Sequence, residues 1–107
     1  GTNDLLQGRT PEETCARMEA FLKMLPAPVL LVAPPPMARG EWVPDSVLIE
    51  RARQLARGYA ALAVRLQIRF CDTADWKIPI AYDGVHFTEE GHRCFAENLV
   101  FFLKQRL

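Results

Sequence analysis

The sequence has 107 residues, half of them hydrophobic and 24% charged, a mix that excludes a disordered chain and fits one small globular domain. Thirteen Lys and Arg balance thirteen Asp and Glu, so neither nucleic-acid binding by phosphate neutralisation nor adhesion to an anionic membrane is expected. Apolar runs such as residues 29–33 are short, far below the roughly 20 residues of a transmembrane helix.

Residues 1–9 read as a loop. A helix is expected from Thr10 to Leu25. Thr10 is placed to cap it, Pro11 suits the first helical position, and Glu13 completes a capping box. Cys15, Met18, Phe21, Leu22 and Leu25 recur at helical spacing and form its apolar face. Pro26 and Pro28 end it. Residues 28–33 (PVLLVA) follow as a short strand, apolar throughout, as in a parallel sheet covered on both faces. Residues 34–44 form a loop stiffened by Pro34, Pro35 and Pro36.

Asp45 or Ser46 caps a long helix reaching about Gln67, in which Leu48, Ala52, Leu55, Tyr59, Leu62 and Leu66 step by four and three. Gly58 is a weak point in its middle. Residues 68–72 (IRFCD) read as the next strand, and residues 73–82 as loop. Thr88 caps a last helix, with Glu89 and Glu90 at the positive end of its dipole. Phe95, Leu99, Phe102 and Leu103 make its buried stripe.

Helix, strand, helix, strand, helix is an α/β order with a parallel sheet. Two strands are few for such a sheet and would leave apolar edges unpaired. Residues 1–107 are therefore expected to be the C-terminal portion of one larger α/β domain. A compact domain pairing with another chain is the alternative, and a homo-oligomer is open.

Cys15, Cys71 and Cys94 are far apart and match no zinc spacing. Free thiols in a reducing compartment are the simplest reading, which points to the cytoplasm. His86, His92, Cys94 and Asp83 lack any familiar metal-ligand spacing, and no glycine-rich phosphate loop suggests a nucleotide or flavin. No metal and no cofactor are expected. Ser46 is the sole serine and reads as a helix cap.

In open α/β sheets, ligands bind beyond the carboxyl ends of the strands. Residues 1–4, the proline loop and the segment Asp83-Gly84-Val85-His86 would meet at that rim. Asp83 stands three residues before His86. Across a turn permitted by Gly84, its carboxylate can fix the imidazole tautomer and leave the other nitrogen as a general base. A histidine bonded to nearby backbone at a helix entry is the plainer alternative. The Asn3 amide can donate to a developing oxyanion, or Asn3 is an ordinary turn residue. Met37 and Trp42 are placed to line a pocket or to pack on the loop. His92 reads as a packing or capping residue. Cys71, in a strand, and Cys94, in a helix, are expected to be inert.

Gly1-Thr2-Asn3-Asp4 and Asp83-Gly84-Val85-His86-Phe87-Thr88 together resemble two signature blocks of the SGNH hydrolases, the GDSL-like esterases and lipases. The run Val32-Ala33-Pro34-Pro35-Pro36 resembles the arylesterase and acyltransferase branch. The resemblance spans nearly the whole chain. It implies a three-layer α/β/α, flavodoxin-like fold and ester hydrolysis through a serine acyl-enzyme. It implies His86 as base, Asp83 as its orienting acid and Asn3 as an oxyanion-hole donor. It implies Asp4 as a loop-supporting residue, and Gly1, Met37, Trp42 and Val85 complete the set of candidate pocket or loop-supporting residues. The family's Gly-Asp-Ser block, with the nucleophile, and its oxyanion-hole glycine are not in this sequence.

The expected function is thus that of a serine ester hydrolase acting on short acyl esters. This chain would supply His, Asp and oxyanion Asn, while a missing N-terminal portion would supply Ser. Alone, the chain is expected to be inactive. A non-catalytic interaction module of the same fold is the alternative. Aryl esters, thioesters, lysophospholipids and acetylated sugars all remain open as substrates.

Overall fold

The computed structural model describes residues 1–106. It contains helices α1 (Thr2–Leu6), α2 (Pro11–Leu22), α3 (Ser46–Leu66) and α4 (Glu89–Arg106), and strands β1 (Leu30–Val32) and β2 (Arg69–Cys71). The short α1 replaces the loop expected at the start. One turn is too brief to show helical periodicity, but Gly1 opens it and Leu5 anchors it in the core.

Thr10 caps α2. Its hydroxyl oxygen accepts from the Glu13 N–H at 3.1 Å and donates to the Glu13 carboxylate at 3.1 Å. Such a cap is worth about 1 kcal/mol. The helix stops at Leu22, before the expected Leu25. Met24 and Leu25 instead donate to carbonyls three residues back, the tighter winding common at helix ends, and Pro26 has no N–H to continue it. Thr14, Met18 and Leu22, four residues apart, form the inner seam with Cys15. Phe21 falls at its outer edge and is 55% exposed, and Leu25 is also exposed. Both were expected on the buried face.

β1 and β2 pair in parallel, Leu30 with Arg69, Leu31 with Phe70 and Val32 with Cys71. Ala33 extends the ladder by donating to the Cys71 carbonyl at 3.0 Å. Pro34 has no N–H to give, and the strand ends. Both strands are shorter than the sequence suggests, and among the described residues the sheet has two strands.

Asp45, not Ser46, caps α3, accepting from the Val47 N–H at 2.9 Å. Ser46 is the first helical residue. Leu55, Tyr59 and Leu62 are fully buried and form one core with Leu5, Leu22, Leu31, Met37 and Val43. α3 packs chiefly on α2. Gly58 makes that approach possible: a Cβ there would lie 2.5 Å from Cys15 Sγ. It marks a close helix crossing.

Thr88 caps α4 through the Gly91 N–H at 2.9 Å. Phe95, Leu99 and Phe102 are half-buried, but Leu103, expected in the stripe, is exposed. The helix begins in an aromatic cluster in which Phe95 meets Trp76 and Phe87, and Phe87 meets His92, at centroid distances of 5.2–5.6 Å. No helix among the described residues is long and apolar enough to cross a membrane.

Candidate active site

Two loops carry the candidate chemistry, and backbone hydrogen bonds stitch them together. Ala38 donates to the Gly84 carbonyl at 2.9 Å, Glu41 to Tyr82 at 3.1 Å and Trp42 to Asp83 at 2.9 Å. Gly84 takes a φ of 87°, which favours glycine, and a Cβ there would collide with the Ala38 carbonyl oxygen. Gly40 is equally close: a Cβ would lie 2.5 Å from the Tyr82 carbonyl oxygen and the Gly84 nitrogen. The proline loop therefore lies directly on the turn that holds Asp83.

Asp83 is buried within that turn. Its Oδ1 accepts from the N–H groups of Val85 at 2.8 Å and His86 at 2.9 Å. Its Oδ2 lies 2.6 Å from His86 Nδ1. The Val85 and His86 N–H groups, and then the imidazole, hold the carboxyl below its ordinary range against the opposing effect of burial. An ionised carboxylate only accepts hydrogen bonds, so Nδ1 is the donor, and in the neutral imidazole the lone pair is then on Nε2. The His86 side chain is 61% exposed. The Trp42 ring meets the imidazole edge-to-face at 5.1 Å and 79°.

His86 lines a hollow of about 310 Å³ with Val85, Phe87 and His92 from its own segment, Pro35 and Met37 from the proline loop, and Thr2 and Asn3 from α1. Asn3 and His86 thus share one hollow from opposite ends of the chain. Met37 both lines it and belongs to the core. Gly1 and Asp4 do not line it. Gly1 sits against Tyr59, whose hydroxyl a Cβ would approach to 2.9 Å. Asp4 pairs with Arg9 and Arg17, each at 3.4 Å, tying α1 to α2. Trp42 touches the imidazole from the side and is not in the lining.

His92 was expected to pack or cap; Thr2 and Pro35 lie in segments expected at this rim and Phe87 in the His86 block, but none of the three was singled out as a pocket residue. The available signal was that His92 lies one helical turn after the Thr88 cap, where its N–H bonds the Thr88 carbonyl at 2.9 Å. A larger hollow of about 570 Å³ runs along Ala52, Ala56 and Ala60 of α3. It contains none of the candidate residues, so size does not select the site. Cys94 is half-buried, with its thiol 3.6 Å from the Trp76 carbonyl, and neither it nor Cys71 lines the hollow of His86. No group of three or more His, Cys, Asp or Glu suited to a metal ion occurs among the described residues.

The sequence profile of the GDSL-like Lipase/Acylhydrolase family matches residues 1–94. The chain belongs to that family. Its fold agrees: a native aryl esterase from M. smegmatis is 28% identical with a TM-score of 0.80, and the inhibitor-bound form of an M. smegmatis aryl esterase is 30% identical at 0.78. Est24, a carbohydrate acetylesterase from Sinorhizobium meliloti, is 25% identical at 0.79. Each match covers 100% of this chain, and this GDSL-like chain spans 58% of each of those three chains. Comparison with curated proteins gives no match.

Proposed function

We propose that this GDSL-like chain supplies the general base, its orienting acid and an oxyanion donor to a serine ester hydrolase. The observation that carries this is the Asp83–His86 pair at 2.6 Å, whose histidine lines the same hollow as Asn3. The serine would come from the portion that the longer relatives have beyond the matched length, and the whole enzyme is the competent unit.

In this reading His86 Nε2 takes the proton from the serine hydroxyl as its oxygen attacks the ester carbonyl. The C=O pair moves onto oxygen, and the Asn3 amide donates to the resulting oxyanion. Asp83 stabilises the imidazolium that forms. His86 then returns the proton to the departing alcohol, and the acyl-enzyme remains. Water, deprotonated by the same imidazole, releases the acid. The aryl esterase and acetylesterase likenesses favour short acyl esters of aryl or sugar alcohols.

The test is hydrolysis of p-nitrophenyl acetate by the full-length enzyme and its His86→Ala variant. The reading expects the variant to lose activity while keeping its fold. Undiminished turnover by a folded His86→Ala protein would overturn it.

A further inference from the structure

His86 is mostly exposed, and one hydrogen bond to Asp83 does not by itself settle the tilt of its ring. The second contact is Trp42, edge-to-face at 5.1 Å. In that geometry the positive edge of one ring meets the negative face of the other.

Trp42 is placed there by its backbone. Its N–H donates to the carbonyl of Asp83 at 2.9 Å, the same residue whose carboxylate holds the imidazole. Its neighbours Gly40 and Val43 close a small turn by exchanging N–H to carbonyl bonds at 3.0 and 3.1 Å, and Val43 is completely buried. The turn is thus anchored by Val43, while Trp42 is half exposed and outside the core cluster. The core does not require an indole at this position, whereas the imidazole does meet it.

We propose that Trp42 is a positioning residue that holds the His86 ring against Asp83 in its proton-accepting orientation. This rests on His86 being the base. The titratable groups around the imidazole are Asp83, bonded to it, and His92, which lines the same hollow, with Glu41 next to Trp42 in the chain.

Two readouts on the full-length enzyme test it. The first is steady-state hydrolysis of p-nitrophenyl acetate by Trp42→Ala and Trp42→Phe. Trp42→Ala should lower kcat roughly five- to tenfold with KM changed by less than about twofold, and Trp42→Phe should restore most of the loss, as expected for an edge-to-face pair. The second is the emission of Trp42, taken as the difference between the intact protein and Trp42→Phe. A protonated imidazole quenches a neighbouring indole, so this emission should dim as His86 takes up its proton. That titration should vanish in His86→Ala and persist in His92→Ala. Unchanged kcat in Trp42→Ala, or a Trp42 titration that survives His86→Ala, would overturn the proposal. If His86→Ala is inactive while Trp42→Ala is fully active, the positioning role alone fails. If His86→Ala is fully active, the reading of His86 as base fails and takes the proposal with it, whatever the emission shows.

Discussion

Asp83 divides its carboxylate between its own turn and His86. One oxygen accepts two backbone N–H groups, and the other lies 2.6 Å from the imidazole. The first pair of bonds fixes where the carboxylate is and keeps it ionised. The second bond uses that fixed charge to decide which imidazole nitrogen is free. In the proposed mechanism, a local turn thereby becomes a constraint on catalysis.

Asn3 is the oxyanion donor in this account, so its contribution should appear only when charge develops on the ester oxygen. Asn3→Ala in the full-length enzyme should lower kcat by about 10²–10³ with little change in KM. Steady-state kinetics on p-nitrophenyl acetate checks this. An equal loss through KM alone would make Asn3 a substrate-binding group.

Gly84→Ala combines a φ of 87° with a collision at the Ala38 carbonyl, which must break the stitch between the two loops. A loss of roughly 2 kcal/mol or more is expected from backbone strain and overpacking together. Urea unfolding monitored by circular dichroism measures it. Activity should fall as well, because Asp83 and Trp42 both hang on that stitch.

The Asp83 carboxyl is held below its ordinary value of 3.8. A depressed folded-state pKa stabilises the fold fully above the unfolded value and ceases to do so as pH falls through the folded one. Thermal stability should therefore drop in acid below 3.8, and Asp83→Asn should drop less steeply there. Glu19 is also held low, by Lys23 and Arg65, but that network is exposed and contributes little. Melting temperatures of both proteins across the acid range give the difference, and equally steep acid losses would contradict it.

Gly58→Ala sets two effects against each other. Alanine favours a helix interior by about 1 kcal/mol over glycine, but the new Cβ would lie 2.5 Å from Cys15 Sγ. In a Cys15→Ala background the obstruction is gone. Gly58→Ala should then stabilise by ~0.5–1 kcal/mol, and by clearly less, or not at all, when Cys15 is present. A double-mutant cycle of unfolding free energies isolates this coupling.

The helix starts were legible because capping is local. Thr10-Pro11 with Glu13, Asp45, and Thr88 all act within three residues of themselves. The buried face of α3 was legible because Leu55, Tyr59 and Leu62 repeat over a long helix. Phe21 and Leu103 were misplaced because periodicity defines a stripe but not which of its edges meets a neighbour. α1 escaped notice because one turn has no period. Within the candidate site, the Asp83–His86 hydrogen bond was readable from their spacing, while their proposed roles rested on the resemblance. Their alignment with Trp42 was not, since backbone hydrogen bonds between loops carry no residue signature. His92 joined the hollow through the direction in which α4 leaves Thr88, which only the assembled fold sets.

The most direct test of the central claim is kcat/KM against pH for the full-length enzyme and its Asp83→Asn variant. An asparagine can donate to Nδ1 and so favour the wrong tautomer. A fall of about 10⁴ is expected in the variant, by analogy with the serine-protease triad. A variant with the same rate would mean that Asp83 does not orient His86, and the assignment of the pair as acid and base would be wrong.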